Sequence, residues 1–99
     1  MSLNTDTSPR TTVREETRET EDALYTYTLS SKSGDKVANY GLTLYSVEIQ
    51  MTDKNGIHTE SSLEDIFSDS GTAFRFFDKL SKNLATPIDL PYIFEDELK

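Results

Sequence analysis

The sequence predicts an α+β protein, in which a three-stranded antiparallel meander is followed by two C-terminal helices packed on one face. Three observations predict this class. β-prone stretches come first and helical periodicity comes last, an Asn55-Gly56 pair marks a tight hairpin, and no spacing suits a βαβ crossover. The chain has 99 residues, which leaves room for one core only.

The N-terminal segment is strongly polar. Its only aliphatic residues are Met1, Leu3 and Val13, so it has almost nothing to bury against the entropy cost of ordering. We therefore predict a disordered polar leader over residues 1–21 and a single α+β domain over residues 22–99.

Two β-prone stretches follow the leader. Tyr25, Tyr27 and Leu29 alternate with smaller or polar residues and predict the first strand. The second strand is predicted over residues 37–51. Its apolar residues shift from even to odd positions near Leu44, and because one flat strand cannot bury both sets on one face, we expect a bulge or strong twist there.

The third strand is predicted to begin at Ile57, directly after the Asn-Gly turn. Its weakly apolar pattern is typical of an edge strand, which we expect to dissolve into a short turn over residues 63–67. His58, the only histidine in the sequence, should face outward from this strand, as a solvent-exposed or hydrogen-bonded side chain.

Two helices are predicted at the C-terminal end. The segment Ser68-Asp69-Ser70-Gly71 offers N-cap candidates for the first. Its buried stripe is predicted at Ala73, Phe76, Phe77, Leu80 and Leu84. Thr86-Pro87 should end this helix, because the residue before proline is disfavoured in the α region. A short last helix from about residue 90 should bury Leu90, Ile93, Phe94 and Leu98 on one side.

Charge and composition narrow the function classes. The net charge is −8, which disfavours binding to nucleic acid or anionic membranes and favours a basic partner. The sequence has no cysteine and no run of 18 apolar residues, so we expect a soluble protein in the reducing cytoplasm. Formation of a homodimer would add stability to so small a core.

The residues needed for catalysis are scarce. A single histidine and no cysteine exclude most nucleophile–base pairs and zinc sites, and the four isolated glycines form no phosphate-binding pattern. The carboxylates at Glu60, Glu64, Asp65 and Asp69 lack the spacing of a calcium loop. We therefore predict a protein that is not an enzyme and has no cofactor or metal site.

The leading functional hypothesis is a non-catalytic protein-interaction or regulatory module. Phe74 lies off the apolar stripe of its helix, and it would either pack against the last helix or join an exposed contact patch. The predicted interaction surface combines this ring with the acidic C-terminal residues. Its members are Phe74, Asp89, Glu95, Asp96 and Glu97.

Two other functions are compatible with this composition. One is a small-ligand or cation-binding protein, in which carboxylates would line a pocket with tyrosines, namely Tyr25, Tyr27, Tyr40 or Tyr45. The other is nucleic-acid mimicry by a negative surface, which the lysines and arginines interspersed among the acidic residues disfavour.

Three short stretches also carry a family resemblance. They are residues 37–42 (VANYGL), residues 60–69 (ESSLEDIFSD) and residues 84–90 (LATPIDL) with the terminal EDEL. The chain resembles, over most of residues 23–99, small uncharacterised proteins of Gram-positive bacteria classed as a domain of unknown function. The resemblance implies a compact bacterial cytoplasmic protein with a variable leader, and it assigns no functional residue.

Overall fold

The computed structural model describes residues 10–33 and 42–99, and within them it has an α+β architecture. Four antiparallel strands form one sheet in the order β1-β2-β3-β4, and two helices follow. The strands are β1 (Thr11–Glu19), β2 (Ala23–Ser33), β3 (Thr43–Asp53) and β4 (His58–Phe67). The helices are α1 (Ser70–Lys82) and α2 (Leu90–Glu97). Both helices pack on the sheet, as predicted.

The predicted number of three strands is wrong, because β1 lies inside the segment predicted to be a disordered leader. β1 pairs with β2 from Thr11 opposite Ser31 to Glu19 opposite Leu24. An edge strand whose side chains are nearly all exposed needs no apolar side chain, since its backbone hydrogen bonds to the neighbouring strand hold it in place. The polar composition was therefore a poor guide to order here. Residues 1–9 lie outside the described part of the chain.

The two central strands supply the sheet side of the core. Tyr27 of β2 lies opposite Ile49 of β3, and Leu29 lies opposite Val47. All four side chains are buried. The alternation that predicts the first strand is confirmed, because the odd-numbered residues of β2 and β3 face the helices while the even-numbered ones form the open face of the sheet.

The predicted bulge near Leu44 is misplaced by one strand. β3 begins at Thr43 and pairs with β2 without interruption. Of the even-numbered apolar residues that suggested the bulge, only Leu44 lies within β3, and Leu42 before the strand is exposed. Residues 34–41, including Tyr40, lie outside the described residues. Irregularities occur elsewhere in the sheet: three residues of β4 fit between the partners of Tyr45 and Val47, and the β1–β2 register shifts between Thr12 and Arg14.

The Asn-Gly hairpin between β3 and β4 is confirmed. Gly56 adopts φ +84°, and its N–H donates to the carbonyl of Asp53 at 2.9 Å. The Asp53 carboxylate also accepts from the N–H groups of Asn55 and Ile57, each at 2.9 Å. β4 is an edge strand, as predicted, but it continues through its bulge to Phe67 and does not dissolve at Leu63.

Helix α1 confirms the clearest helical prediction. Asp69 is its N-cap and accepts hydrogen bonds from the N–H and the hydroxyl of Thr72, both at 2.8 Å. These bonds stabilise the ionised carboxylate and lower the pKa of Asp69. The buried stripe consists of Ala73, Phe76, Phe77 and Leu80. It stops short of Leu84, which lies beyond the helix and is partly exposed.

The end of α1 explains why Leu84 leaves the stripe. The N–H of Ala85 donates to the carbonyl of Leu80, and the N–H of Leu84 donates to the carbonyl of Ser81. This pair of bonds is the Schellman arrangement, which requires a left-handed residue and usually recruits glycine. Leu84 fills that position with φ +52°, so a branched side chain is held in a costly backbone conformation.

Helix α2 is preceded by its own start signal. Thr86 and Asp89 bond reciprocally: the Thr86 hydroxyl accepts from the Asp89 N–H at 3.3 Å, and the Asp89 carboxylate accepts from the Thr86 N–H at 3.2 Å. These are the reciprocal bonds of a capping box, and they close the turn of residues 86–89 that leads into α2. Leu90 is buried and Phe94 is half-buried, as predicted, but Leu98 is exposed because the helix ends before it.

The core lies between the sheet and the two helices. The Tyr27 hydroxyl donates to the carbonyl of Ala85 at 2.9 Å, which ties β2 to the segment between the helices. Phe67, Phe76 and Phe94 form an edge-to-face cluster with ring centroids 5.3 to 6.0 Å apart. Such contacts add about 0.5–1.5 kcal/mol per pair beyond buried area.

Candidate interaction surface

Phe74 is covered by the first strand and not by the last helix. The guanidinium carbon of Arg14 in β1 lies 4.9 Å from the Phe74 ring centroid and 6.0 Å from that of Phe77. The same guanidinium pairs with Asp78 one turn further along α1, with Nη1 3.1 Å from Oδ1. Phe74 is half-buried as a result, and its partner is one that the sequence patterns did not indicate.

The structure does not bring Phe74 together with the predicted acidic residues. Phe76, two positions later, contacts Phe94 of α2. Residues two apart project from opposite sides of a helix, so Phe74 faces β1 while α2 lies on the other side of α1. The binding role of the acidic residues stays a prediction, but it needs a surface that excludes Phe74.

The acidic residues of α2 have different surroundings. Asp89 serves the capping box described above. Glu97 Oε1 lies 3.5 Å from Lys79 Nζ on α1, and Asp96 Oδ1 lies 3.7 Å from Lys99 Nζ. These ion pairs are solvent-accessible and contribute about 0–1 kcal/mol each. Glu95 is exposed. Asp96 and Glu95 thus remain accessible to a partner, whereas Glu97 turns toward α1.

Two exposed apolar side chains lie beside these carboxylates. Ile88 is 70% exposed and Tyr92 is 67% exposed. They are four residues apart, with Ile88 in the turn that leads into α2 and Tyr92 in the first turn of that helix. Asp96 follows Tyr92 four residues later and Glu95 three residues later, and both spacings share one side of a helix. We call Ile88, Asp89, Tyr92, Glu95 and Asp96 the α2 outer surface. Their i, i+4 spacing off the buried stripe is the sequence signal that indicates Ile88 and Tyr92, but these two residues were not among the predicted site residues.

His58, the only histidine in the sequence, and Tyr27, one of the tyrosines named for a possible ligand pocket, have the surroundings of a surface strand residue and a core residue. His58 is exposed on the open face, with Nδ1 3.1 Å from Thr52 Oγ1 and Nε2 3.1 Å from Glu60 Oε1. Tyr27 is buried in the core, and this burial, with a smaller contribution from neighbouring Tyr25, raises the pKa of Tyr27 to about 12. Within residues 10–33 and 42–99, no three acidic or imidazole groups gather closely enough to hold a metal ion.

A second arginine holds the start of β1. Arg10 reaches across the open face, and its Nη1 donates to the hydroxyl of Ser46 at 2.6 Å. Its guanidinium also lies 3.5 Å from carboxylate oxygens of Glu64 and Asp65 at the β4 bulge. Ser46 is buried and accepts a further bond from the Asp65 N–H at 2.8 Å. β1 is therefore fastened at two points by arginine side chains.

In the described residues, neither helix has the length and apolar character required to cross a membrane.

Comparison with known proteins identifies a family but no activity. A model of the family described as Family of unknown function (DUF6514) matches residues 8–99. No curated protein and no solved structure shows a significant match to the chain. The match includes β1 and extends beyond residue 22, where the sequence patterns predict the domain to begin.

Proposed function

Because this chain belongs to that family of unknown function, we propose its function from its own surfaces: it is a non-catalytic protein-interaction module that binds a basic partner through the α2 outer surface. The observation that carries the proposal is the exposure of both Ile88 and Tyr92, which are four residues apart at the start of α2. Apolar side chains that remain in water on one patch of a small domain are typical of contact surfaces.

The chemistry of the surface fits a partner with an apolar centre and a positive rim. Tyrosine is enriched at the centres of interfaces because its large rigid ring buries much area at little entropy cost. Asp89, Glu95 and Asp96 lie within four residues of the apolar pair in sequence, and the whole chain carries −8. Such a field speeds the approach of a positively charged protein.

The test begins with a binding partner captured by crosslinking and identified by mass spectrometry. Its affinity is then measured for the wild-type chain and for the double variant Ile88→Ala/Tyr92→Ala. We expect a loss of about 2 kcal/mol or more, close to thirtyfold in Kd. Because both side chains are exposed, thermal unfolding of the variant should change little.

A matched control is Ile57→Ala. Ile57 is 61% exposed at the β3–β4 hairpin, away from α2, so its truncation should leave the affinity unchanged. Retention of full affinity by the α2 double variant, with loss in Ile57→Ala, would place the contact elsewhere and contradict the proposal. Affinity that does not weaken with added salt would argue against a basic partner.

We further propose that the protein acts in the cytoplasm of a Gram-positive bacterium and forms a homodimer. The absence of cysteine supports a reducing compartment, and the small core supports self-association. Cell fractionation and sedimentation of the purified chain test the two statements separately. Secretion into the medium would contradict the first, and a monomer at all concentrations would contradict the second.

A further inference from the structure

Strand β1 is held in the fold without a buried side chain. Eight of its nine residues are exposed and the ninth, Glu16, is half-buried. Val13 is its only aliphatic residue, and it is 38% exposed. Segments with so little buried apolar surface open locally at a low free-energy cost, while the core strands stay folded.

The place that β1 occupies has the features of a peptide-binding groove. One wall is the edge of β2, whose hydrogen-bonding groups pair with β1. The other is the side of α1, which presents Phe74, Phe77 and Asp78 to Arg14. We call this the β2–α1 groove. Removal of β1 would uncover an unpaired strand edge beside two aromatic rings, which is the arrangement used to bind extended peptides by β-augmentation.

We propose that β1 occupies this groove in cis, and that an extended segment of another protein, carrying an arginine at the position of Arg14, displaces β1 and pairs with β2. The two arrangements are mutually exclusive, so the N-terminal strand competes with the partner for its own groove. This contact is independent of the α2 outer surface.

The groove selects arginine by its chemistry. A guanidinium is planar, so it can lie over the Phe74 ring while a terminal nitrogen pairs with the Asp78 carboxylate at 3.1 Å. Lysine offers a single point charge and cannot make both contacts equally well. The residue opposite Leu29 in the register is the one aimed at this pair, which fixes the alignment of any incoming strand.

The tether determines how strongly β1 competes. A strand linked by a short connection acts at an effective concentration on the order of millimolar or above. A partner therefore succeeds by making contacts that β1 lacks, or when the Arg10 and Arg14 contacts of β1 are weakened. Variants at Arg14 isolate the second route.

The experiment uses the full chain and a fluorescent synthetic peptide with the sequence of residues 10–20. Binding is titrated up to about 10 mM peptide, above the effective concentration of the tether. The full-chain variant Arg14→Ala should bind the peptide roughly three- to tenfold more tightly than wild type, since its own strand competes less well. A peptide in which Arg14 is replaced by alanine should bind the Arg14→Ala chain more weakly than the wild-type peptide does, because it lacks the guanidinium that contacts Phe74 and Asp78.

Matched controls separate the groove from general charge effects. Arg75→Ala removes another exposed arginine, whose guanidinium bonds Thr72 within α1, and should leave peptide affinity at the wild-type value. Asp78→Asn in the Arg14→Ala chain should weaken peptide binding by a similar factor. Ile88→Ala/Tyr92→Ala should have no effect, so failure of this proposal and failure of the α2 proposal are distinguishable.

Hydrogen exchange on the intact chain supplies the second measurement. Amides of β1 should exchange at least tenfold faster than the amides shared by β2 and β3, because β1 opens without global unfolding. Equal protection of both sets, with no peptide bound to Arg14→Ala, would overturn the proposal. A concentration-dependent dimer with exchanged β1 strands and no peptide binding would also overturn it, because the occupant would then be a second copy.

Discussion

At the scale of single residues, the most consequential positions are those whose surroundings oppose their ordinary behaviour. Leu84 adopts a left-handed backbone conformation that glycine would adopt without strain. Asp69 and Tyr27 are held in one protonation state by hydrogen bonds and by burial respectively. Each of these positions makes stability depend on one identifiable interaction.

Substitution Leu84→Gly should give a more stable protein than Leu84→Ala. Both changes remove the Leu84 side chain beyond Cβ, which is only 38% exposed, but glycine alone avoids the cost of φ +52°, which for an L-residue is about 1 kcal/mol. We expect Leu84→Gly to exceed Leu84→Ala by about 0.5–1 kcal/mol in urea unfolding. Asn83→Gly and Asn83→Ala are the matched control, because Asn83 has φ −98° and glycine there should be the less stable of the two. A Leu84→Gly protein less stable than Leu84→Ala would contradict the Schellman interpretation.

Asp69 should make stability fall in acid. Its folded pKa is lowered mainly by the Thr72 N–H bond, so its contribution is present above the unfolded pKa, which is about 3.9, and is lost as pH falls through the lower folded value. Asp69→Asn should flatten this part of the pH dependence, as followed by thermal unfolding between about pH 2 and 5. Asp96→Asn, on the exposed side of α2, should leave it unchanged.

Tyr27 should produce the opposite dependence in alkali. Burial raises its folded pKa to about 12, whereas the unfolded side chain ionises near pH 10, at about its reference value. Stability is therefore complete below about pH 10 and declines as pH rises toward the folded pKa. Tyr27→Phe should abolish this decline and cost about 1 kcal/mol at neutral pH by removing the bond to Ala85. An unchanged alkaline profile would show that Tyr27 is not responsible.

At the scale of elements, sequence patterns predicted correctly the structures that depend on neighbouring residues, but they did not predict a strand whose side chains contact distant parts of the chain. The Asn55-Gly56 hairpin and the buried stripe of α1 depend on residues within one turn of each other, and both are confirmed. β1 was missed because the partners of its arginine side chains lie far along the chain: Arg14 pairs with Asp78, and Arg10, just before the strand, pairs with Ser46. No hydrophobic pattern within residues 11–19 reports such contacts.

The start of α2 provides an element-scale prediction. Thr86→Ala removes the hydroxyl that accepts the Asp89 N–H and should destabilise the protein by about 1 kcal/mol in urea unfolding. Thr86→Ser keeps the hydroxyl and should retain most of the stability. Equal losses in both variants would assign the effect to the methyl group and not to the cap.

At the scale of the whole molecule, the candidate surfaces were only partly predictable. The acidic character of α2 follows directly from Glu95 and Asp96, whose type alone places them in water. The separation of Phe74 from α2 depends on which side of α1 each neighbour occupies, and that is decided by the packing of Phe76 against Phe94. Composition carries no information about that choice.

The order of the elements has a consequence for synthesis on the ribosome. Every strand pairs with its neighbour in sequence, so the strands can pair one after another as the chain emerges. The acceptor of the Tyr27 hydroxyl, the carbonyl of Ala85, is synthesised only 58 residues later. Until then the buried face of β2 and β3 has no cover. A nascent or prematurely terminated chain that stops at the end of β4 would expose the apolar face of β2 and β3. At this length the chain would be most prone to aggregation and would most need a chaperone.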